Sequence, residues 1–310
     1  MLKIRYECKN SRQALLIFLL LSLVCGSCAR KPKSQIDPNA YRQEVSQWKE
    51  KRWADLKSDS GWLTLVGLFW LKEGDNKFGS VSANDIVIPK LAAHAGSFRL
   101  KNKVVKLDAT QTGFTVDGRP IKSLALKTDD DDKPTVVHFD SMTFQIIKRG
   151  EKLGLRVKNS LNPDRLNFQN TDFYPADLKW RIEARFEPYN PPKPMPIMNV
   201  LNMESSESSP GAIRFTVDGK DYRLDAITEK DEPRLFMIIA DKTSGKETYP
   251  AGRYLYVDPP DSSGRVIIDF NKAYSPPCAF TKFATCPLPP KQNRLPFAIE
   301  AGEKYRPQSG

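Results

Sequence analysis

The sequence predicts a mostly β protein, built as one or more β-sandwich or barrel-like domains, with a single α-helix at its N-terminal end. Short apolar or alternating runs recur along the chain from Ile86, divided by turn residues, at the spacing of about ten residues that marks sandwiches and barrels. Two Asp-Gly pairs, Asp117-Gly118 and Asp218-Gly219, sit between such runs; this pair accepts the positive φ angles of a tight hairpin turn. Strand runs never alternate with helical patterns, which argues against a doubly wound α/β sheet.

The helix is predicted from Pro38 to Lys57, within a block spanning 37–60. Asp37 precedes a proline at the first helical position, a favourable helix start. Val45, Trp48, Arg52 and Leu56 then recur at helical spacing, with Lys and Glu between them, ahead of Gly61. The strand runs that follow are Ile86–Ile88, Phe98–Leu100, Val104–Leu107, Phe114–Val116, Val136–Phe139 and Phe144–Ile147. Further on come Leu153–Val157, Trp180–Phe186, Ile213–Val217, Tyr222–Ala226, Leu235–Ala240, Tyr254–Val257 and Val266–Phe270. The acidic run Asp129–Asp132 reads as a solvated loop, because adjacent carboxylates repel one another; it lacks the ligand spacing of a calcium-binding loop. That loop is the expected boundary between a β-subdomain at 61–128 and a larger β-domain at 135–310. The proline-rich stretch Pro188–Pro196 and the serine-rich stretch Ser205–Pro210 are expected to be loops.

The N-terminus carries Lys3, Arg5, Lys9 and Arg12, then an apolar run from Ala14 to Val24 interrupted only by Ser22. A basic region followed by so short an apolar run reads as a secretory signal, since a membrane span needs about 20 apolar residues. The run ends in Val24-Cys25-Gly26-Ser27-Cys28, which resembles the lipobox of bacterial lipoproteins. The resemblance implies a signal peptide over 1–27, lipid on Cys28 and a polar tether over 28–36. It also implies attachment in the cell envelope, at the outer membrane because Ala29 rather than Asp follows the cysteine. An ordinary cleaved signal or a short anchor helix is the competing reading.

Removing 27 of the 310 residues leaves 283, enough for one large domain or two small ones. The precursor carries a formal charge of +11. Four basic residues and Glu7 leave with the signal, so about +8 remains on the same count. The Lys and Arg are scattered among acidic residues, and no nucleic-acid-binding motif appears, so no nucleic-acid partner is expected. Of the five cysteines, Cys278 and Cys286 remain once the signal and the lipid site are accounted for. An oxidising compartment favours a disulfide between them, two buried free thiols being the alternative. No metal site is expected from two thiols with the only histidines, His94 and His138, far off in sequence. No cofactor fingerprint or catalytic elbow is present, and no cofactor is expected.

Two resemblances are legible. Gly61-Trp62-Leu63-Thr64-Leu65-Val66-Gly67-Leu68-Phe69-Trp70 forms one motif, and Tyr249-Pro250-Ala251-Gly252-Arg253-Tyr254 a second. A third starts as Asp269-Phe270-Asn271-Lys272-Ala273-Tyr274-Ser275-Pro276-Pro277-Cys278 and continues through Cys286-Pro287-Leu288-Pro289-Pro290 to Asn293-Arg294-Leu295. Together they resemble the domain of unknown function 1684 family, over nearly all of residues 45–306. This resemblance implies no activity. Within it, Gly79-Ser80, Asn84–Ile88 and His94-Ala95 are similar to forkhead-associated domains, which are β-sandwiches that bind phosphothreonine. Ser80 and Leu91 stand where those domains place a phosphate-binding Arg and Ser, so the resemblance implies a fold and not phosphopeptide binding.

The C-terminal segment is the strongest candidate for a site. Residues 269–294 gather Asp269, Asn271, Tyr274, Asn293 and Arg294 around Pro276, Pro277, Pro287, Pro289 and Pro290, a stiff loop suited to presenting polar groups. Arg253, on the strand before, offers a guanidinium for carboxylate or phosphate recognition. The expected ligand is a small anionic or carbohydrate molecule, bound by a non-catalytic envelope lipoprotein. Two other readings stand beside it. These side chains can be staples that satisfy the backbone of a proline-rich strap. Alternatively, Asp269 with Glu303, or His94, can supply acid–base groups of a hydrolase.

Overall fold

A computed structural model describes residues 36–306. The expected signal segment, Cys28 and nearly all of the tether lie outside the described residues. The chain divides into two units after Ala40. The first is described only from Ile36 and carries the opening residues of helix α1 (Pro38–Lys57). There the Asp37 side chain accepts a hydrogen bond from the Asn39 amide at 3.0 Å, as an N-cap does. The second unit, residues 41–310, holds everything that follows. Among the described residues no helix is long and apolar enough to cross a membrane.

The first part of this unit is a two-sheet sandwich. One sheet runs in the order β1 (Leu65–Trp70), β11 (Lys152–Asn159), β10 (Met142–Arg149), β9 (Val136–Phe139), β6 (Thr115–Val116) and β7 (Arg119–Pro120). The other runs β3 (Ile86–Val87), β2 (Gly74–Gly79), β4 (Gly96–Lys101), β5 (Val104–Ala109) and β8 (Ser123–Leu126). Alternate residues of both sheets turn inward, and Phe78, Phe98, Phe114 and Phe144 form an aromatic centre with Leu107, Ile146 and Leu155. The Asp117-Gly118 pair closes the β6–β7 hairpin with φ angles of 50° and 73°. Because β9 to β11 pair into the same sheet as β1, the sandwich runs on to Asn159, past the acidic loop expected to end it.

Beyond a short helix α2 (Pro163–Leu166) lie two further sheets. The larger is ordered β14 (Lys220–Asp225), β13 (Glu204–Val217), β12 (Arg181–Met198) and β18 (Arg265–Asp269). The smaller is ordered β15 (Ile227–Glu229), β16 (Glu232–Ile239) and β17 (Arg253–Val257). Asp218-Gly219 closes the β13–β14 hairpin. Here one expectation is corrected: Pro188–Pro196 and Ser205–Pro210 are not loops but facing arms of the β12–β13 hairpin, with Pro194 opposite Ser208 and Pro196 opposite Ser206. Strand β18 covers only Arg181–Arg185 of β12, so the distal arm is an edge. Two prolines spaced two apart can both turn their amide-less nitrogens outward there.

The small sheet is buried on both faces, and its period-2 alternation decides what each face meets. Leu235, Met237, Ile239, Leu255 and Val257 join the core shared with Phe215, Phe270 and Ile299. Phe236, Ile238 and Tyr254 point the other way, against Met195, Ile197, Ala284 and Cys286. That second face borders the principal cavity.

Candidate ligand-binding site

A cavity of about 590 Å³ opens where α1, the sandwich, the small sheet and the proline-rich strap converge. Phe236, Tyr254 and Tyr256 enter it from the small sheet, Tyr274 from the strap, and Trp48 and Trp62 from the N-terminal side. The rings of Tyr256 and Tyr274 are nearly parallel, 20° apart in plane and 6.4 Å between centroids. Four arginines line the same space: Arg52 from α1, Arg149 and Arg156 from the sandwich, and Arg234 from β16.

Each arginine is held differently. Arg52 lies over the Tyr274 ring at 4.6 Å and donates to the Ser275 carbonyl at 2.9 Å and to Glu303 at 3.4 Å. Arg149 donates to Thr285 Oγ1 at 3.0 Å and to Asp129 at 2.8 Å, so the acidic loop fixes a cavity wall. Arg234 forks onto Glu232 at 2.9 and 2.7 Å and stacks 4.5 Å over Tyr256. Arg156 has no carboxylate partner among the described residues. It is 8 % exposed, lies 5.2 Å over Trp62, and its Nε and Nη2 have no hydrogen-bond partner among the described residues. Burial, reinforced by Arg149, pulls its guanidinium down to about 10. Against these cations the cavity sets Glu229 and the Lys51-paired Asp55. Burial pushes the Glu229 carboxyl above its ordinary range, Glu232 and Glu207 add to the effect, and the hydroxyl of Tyr256, which donates to it, opposes it.

The strap meets this cavity through Tyr274, Pro277, Thr285, Cys286 and Pro287. Of the six ligand-binding candidates named from the sequence (Arg253, Asp269, Asn271, Tyr274, Asn293 and Arg294), Tyr274 alone lines it. Arg253 points to the opposite face of β17, in register with Leu255, and is fully buried. It pairs with Asp241 at 2.7 Å and donates to the Ala301 and Ile299 carbonyls. The preceding Gly252 takes φ of 90°, and a side chain there would strike the Ile239 carbonyl and the Pro289 ring. Asn271, also buried, donates to Asp177 O at 2.9 Å and to the Tyr41 hydroxyl at 2.8 Å, and accepts from Asp177 N. Asp269 accepts from the Tyr41 hydroxyl at 2.7 Å. Asn293 bridges Asp225 and the Ile238 carbonyl. Arg294 is exposed beside Ala240. Asp269 lines a second cavity and Glu303 a different one, so neither of these two cavities gathers that carboxylate pair. His94 faces Asn84 at 3.0 Å within the sandwich.

The disulfide expected between Cys278 and Cys286 is not formed: both are free thiols. The turn between them brings the sulfur of Cys286 to the amide of Cys278 at 3.1 Å. The pair therefore meet as hydrogen-bond partners, and Cys286 packs into the apolar cluster as a small hydrophobe.

Residues 166–304 match the family described as "Protein of unknown function (DUF1684)". The chain is also similar to an uncharacterized protein of Haloarcula marismortui solved by solution NMR. The two are 31% identical over 45% of this chain and 78% of the other, with a TM-score of 0.39. This chain belongs to the DUF1684 family. The DUF1684 match is shorter than the 45–306 expected from motifs. It includes Glu229, Arg234, Tyr254, Tyr256 and the strap, while Arg52, Arg149 and Arg156 precede it. The cavity is thus completed from outside the matched segment. No curated protein matches the chain.

Proposed function

We propose that the cavity binds a small anionic molecule with a ring body, of the sugar-acid or sugar-phosphate kind, and that the protein is a non-catalytic binding lipoprotein of the cell envelope anchored through Cys28. The observation that carries the ligand reading is Arg156. Burying a guanidinium without a carboxylate partner is unfavourable, and leaving its donors unmade adds to that. An anion entering the cavity supplies the missing acceptor beside aromatic faces suited to a ring. The lipobox-like Gly26-Ser27-Cys28 supports the anchor. The two-sheet arrangement of residues 65–159 supports the forkhead-associated-like reading of that subdomain as a fold. With Ser80 and Leu91 at the phosphate-binding positions, the anion is assigned to the cavity instead.

Sulfate, whose charge is constant across the useful pH range, is the simplest probe. Titrated into the full-length chain in detergent, it is expected to bind and to raise the melting temperature. Arg156→Met should weaken it between about tenfold and about a hundredfold, the equivalent of a charged hydrogen bond. Glu229 gives the pH dependence its sign. Its raised pKa means that the carboxyl stays neutral to higher pH than an exposed glutamate does. Affinity should therefore be highest at low pH and fall as pH rises through the Glu229 pKa, when a competing negative charge appears. Glu229→Gln should flatten that profile. Equal affinity of wild type and Arg156→Met for sulfate and for sugar phosphates would sink the proposal.

A further inference from the structure

Resting on that binding reading, we infer that the ligand is an extended acidic oligosaccharide, with its anionic unit at the arginines and neutral flanks on either side. The principal cavity is one of three that share walls. A second, of about 520 Å³, has Trp48, Arg234, Tyr256 and Tyr274 in common with it. A third, of about 600 Å³, has Arg149, Glu229, Phe236, Thr285 and Pro287 in common with it. The three adjoin through these shared side chains, and the inferred ligand would lie along them as along one trough, with the arginine cluster in the middle. Each part alone is of the size that holds a drug-sized molecule, so the trough is longer than a monosaccharide needs.

Charge is distributed along the trough in a way that fits such a chain. In the second cavity Arg265 is paired with Asp261 at 3.0 Å and Lys272 with Glu44 and Asp269. In the third, Lys148 is paired with Asp130 at 3.1 Å beside Ser205 and Ser206. The second cavity thus sets equal numbers of cations and carboxylates, and the third adds Glu204 and Glu207, so both flanks offer donors and acceptors suited to hydroxyl groups rather than to further anionic units. The guanidinium of Arg156, with two unsatisfied donors and no carboxylate partner among the described residues, stays in the centre. The nearly parallel Tyr256 and Tyr274 rings lie at the join of the first two cavities, where they hold Arg234 and Arg52 in place by stacking.

Calorimetric titration of the full-length chain in detergent with glucuronic acid, and with oligosaccharides of two to six units that carry one glucuronic acid among neutral sugars, tests this. Affinity should rise by at least about tenfold from monomer to tetramer as flanking units gain contacts, then level off. Arg181→Ala in the second cavity and Ser206→Ala in the third, each checked for an unchanged melting temperature, should lower hexamer affinity and leave monomer affinity unchanged. Equal affinity for monomer and hexamer would overturn the extended ligand while leaving the binding reading intact. No binding of any uronide or of sulfate would overturn both. Tighter binding of hexaglutamate than of the uronide hexamer would make the occupant an acidic peptide, and the saccharide assignment would be wrong.

Discussion

Replacing Arg253 by methionine is expected to destabilise the protein by about 3–5 kcal/mol, the range for breaking a buried ion pair by removing one partner. The guanidinium and the Asp241 carboxylate are both inaccessible to solvent. Asp241 in turn accepts from Thr243 N, Thr243 Oγ1 and Ile299 N. Without Arg253 that carboxylate loses its countercharge, and the Ala301 and Ile299 carbonyls lose their donor. A fall in melting temperature on the order of 10 °C follows for a chain of this size. Sulfate affinity measured below the transition should be unchanged, because Arg253 faces away from the cavity. A variant that melts normally but no longer binds would place Arg253 at the ligand instead.

Arg156→Met should move stability the other way. Methionine fills the space of the stem with a flexible apolar chain, and two buried donors with no partner disappear. A gain of about 1–3 kcal/mol is expected from removing that desolvation penalty, alongside the loss of anion binding. Urea denaturation of both proteins without ligand measures it. The combination of higher stability and lost binding is the signature of a residue kept for function. A loss of stability on this substitution would make Arg156 a structural group and leave the cavity without its central argument.

Much of the architecture was legible because local rules and tertiary packing agree. Asp37-Pro38 starts the helix, both Asp-Gly pairs turn hairpins, and the alternating runs become strands. The β12–β13 arms were not legible, because proline and serine argue against strands unless the strand is an edge, and edge position is a property of the whole sheet. The cavity was only partly legible. Arg52, Arg149, Arg156 and Arg234 come from four elements far apart in sequence, and no spacing links them. One signal was present: Arg156 sits inside the apolar run Leu153–Val157, where a lone guanidinium is out of place. The strap residues Asn271 and Asn293 declared that they had backbone groups to satisfy, but the direction of Arg253 depended on which face of β17 it occupied. Chemical type alone does not say that.

The ends of the second unit clasp one another. Tyr41, in its first helix, bonds to Asp269 and Asn271, and Arg52 bonds to Ser275 and Glu303. These partners lie more than two hundred residues apart along the chain, and such distant closures are made late in folding. The sandwich, by contrast, closes within residues 65–159. During synthesis, then, the sandwich has all its strands early, while the helix waits for a strap that is made last. A chain stopped short of Glu303 leaves the helix undocked and its apolar side uncovered. Such a chain offers quality-control proteases a handle that the finished protein hides.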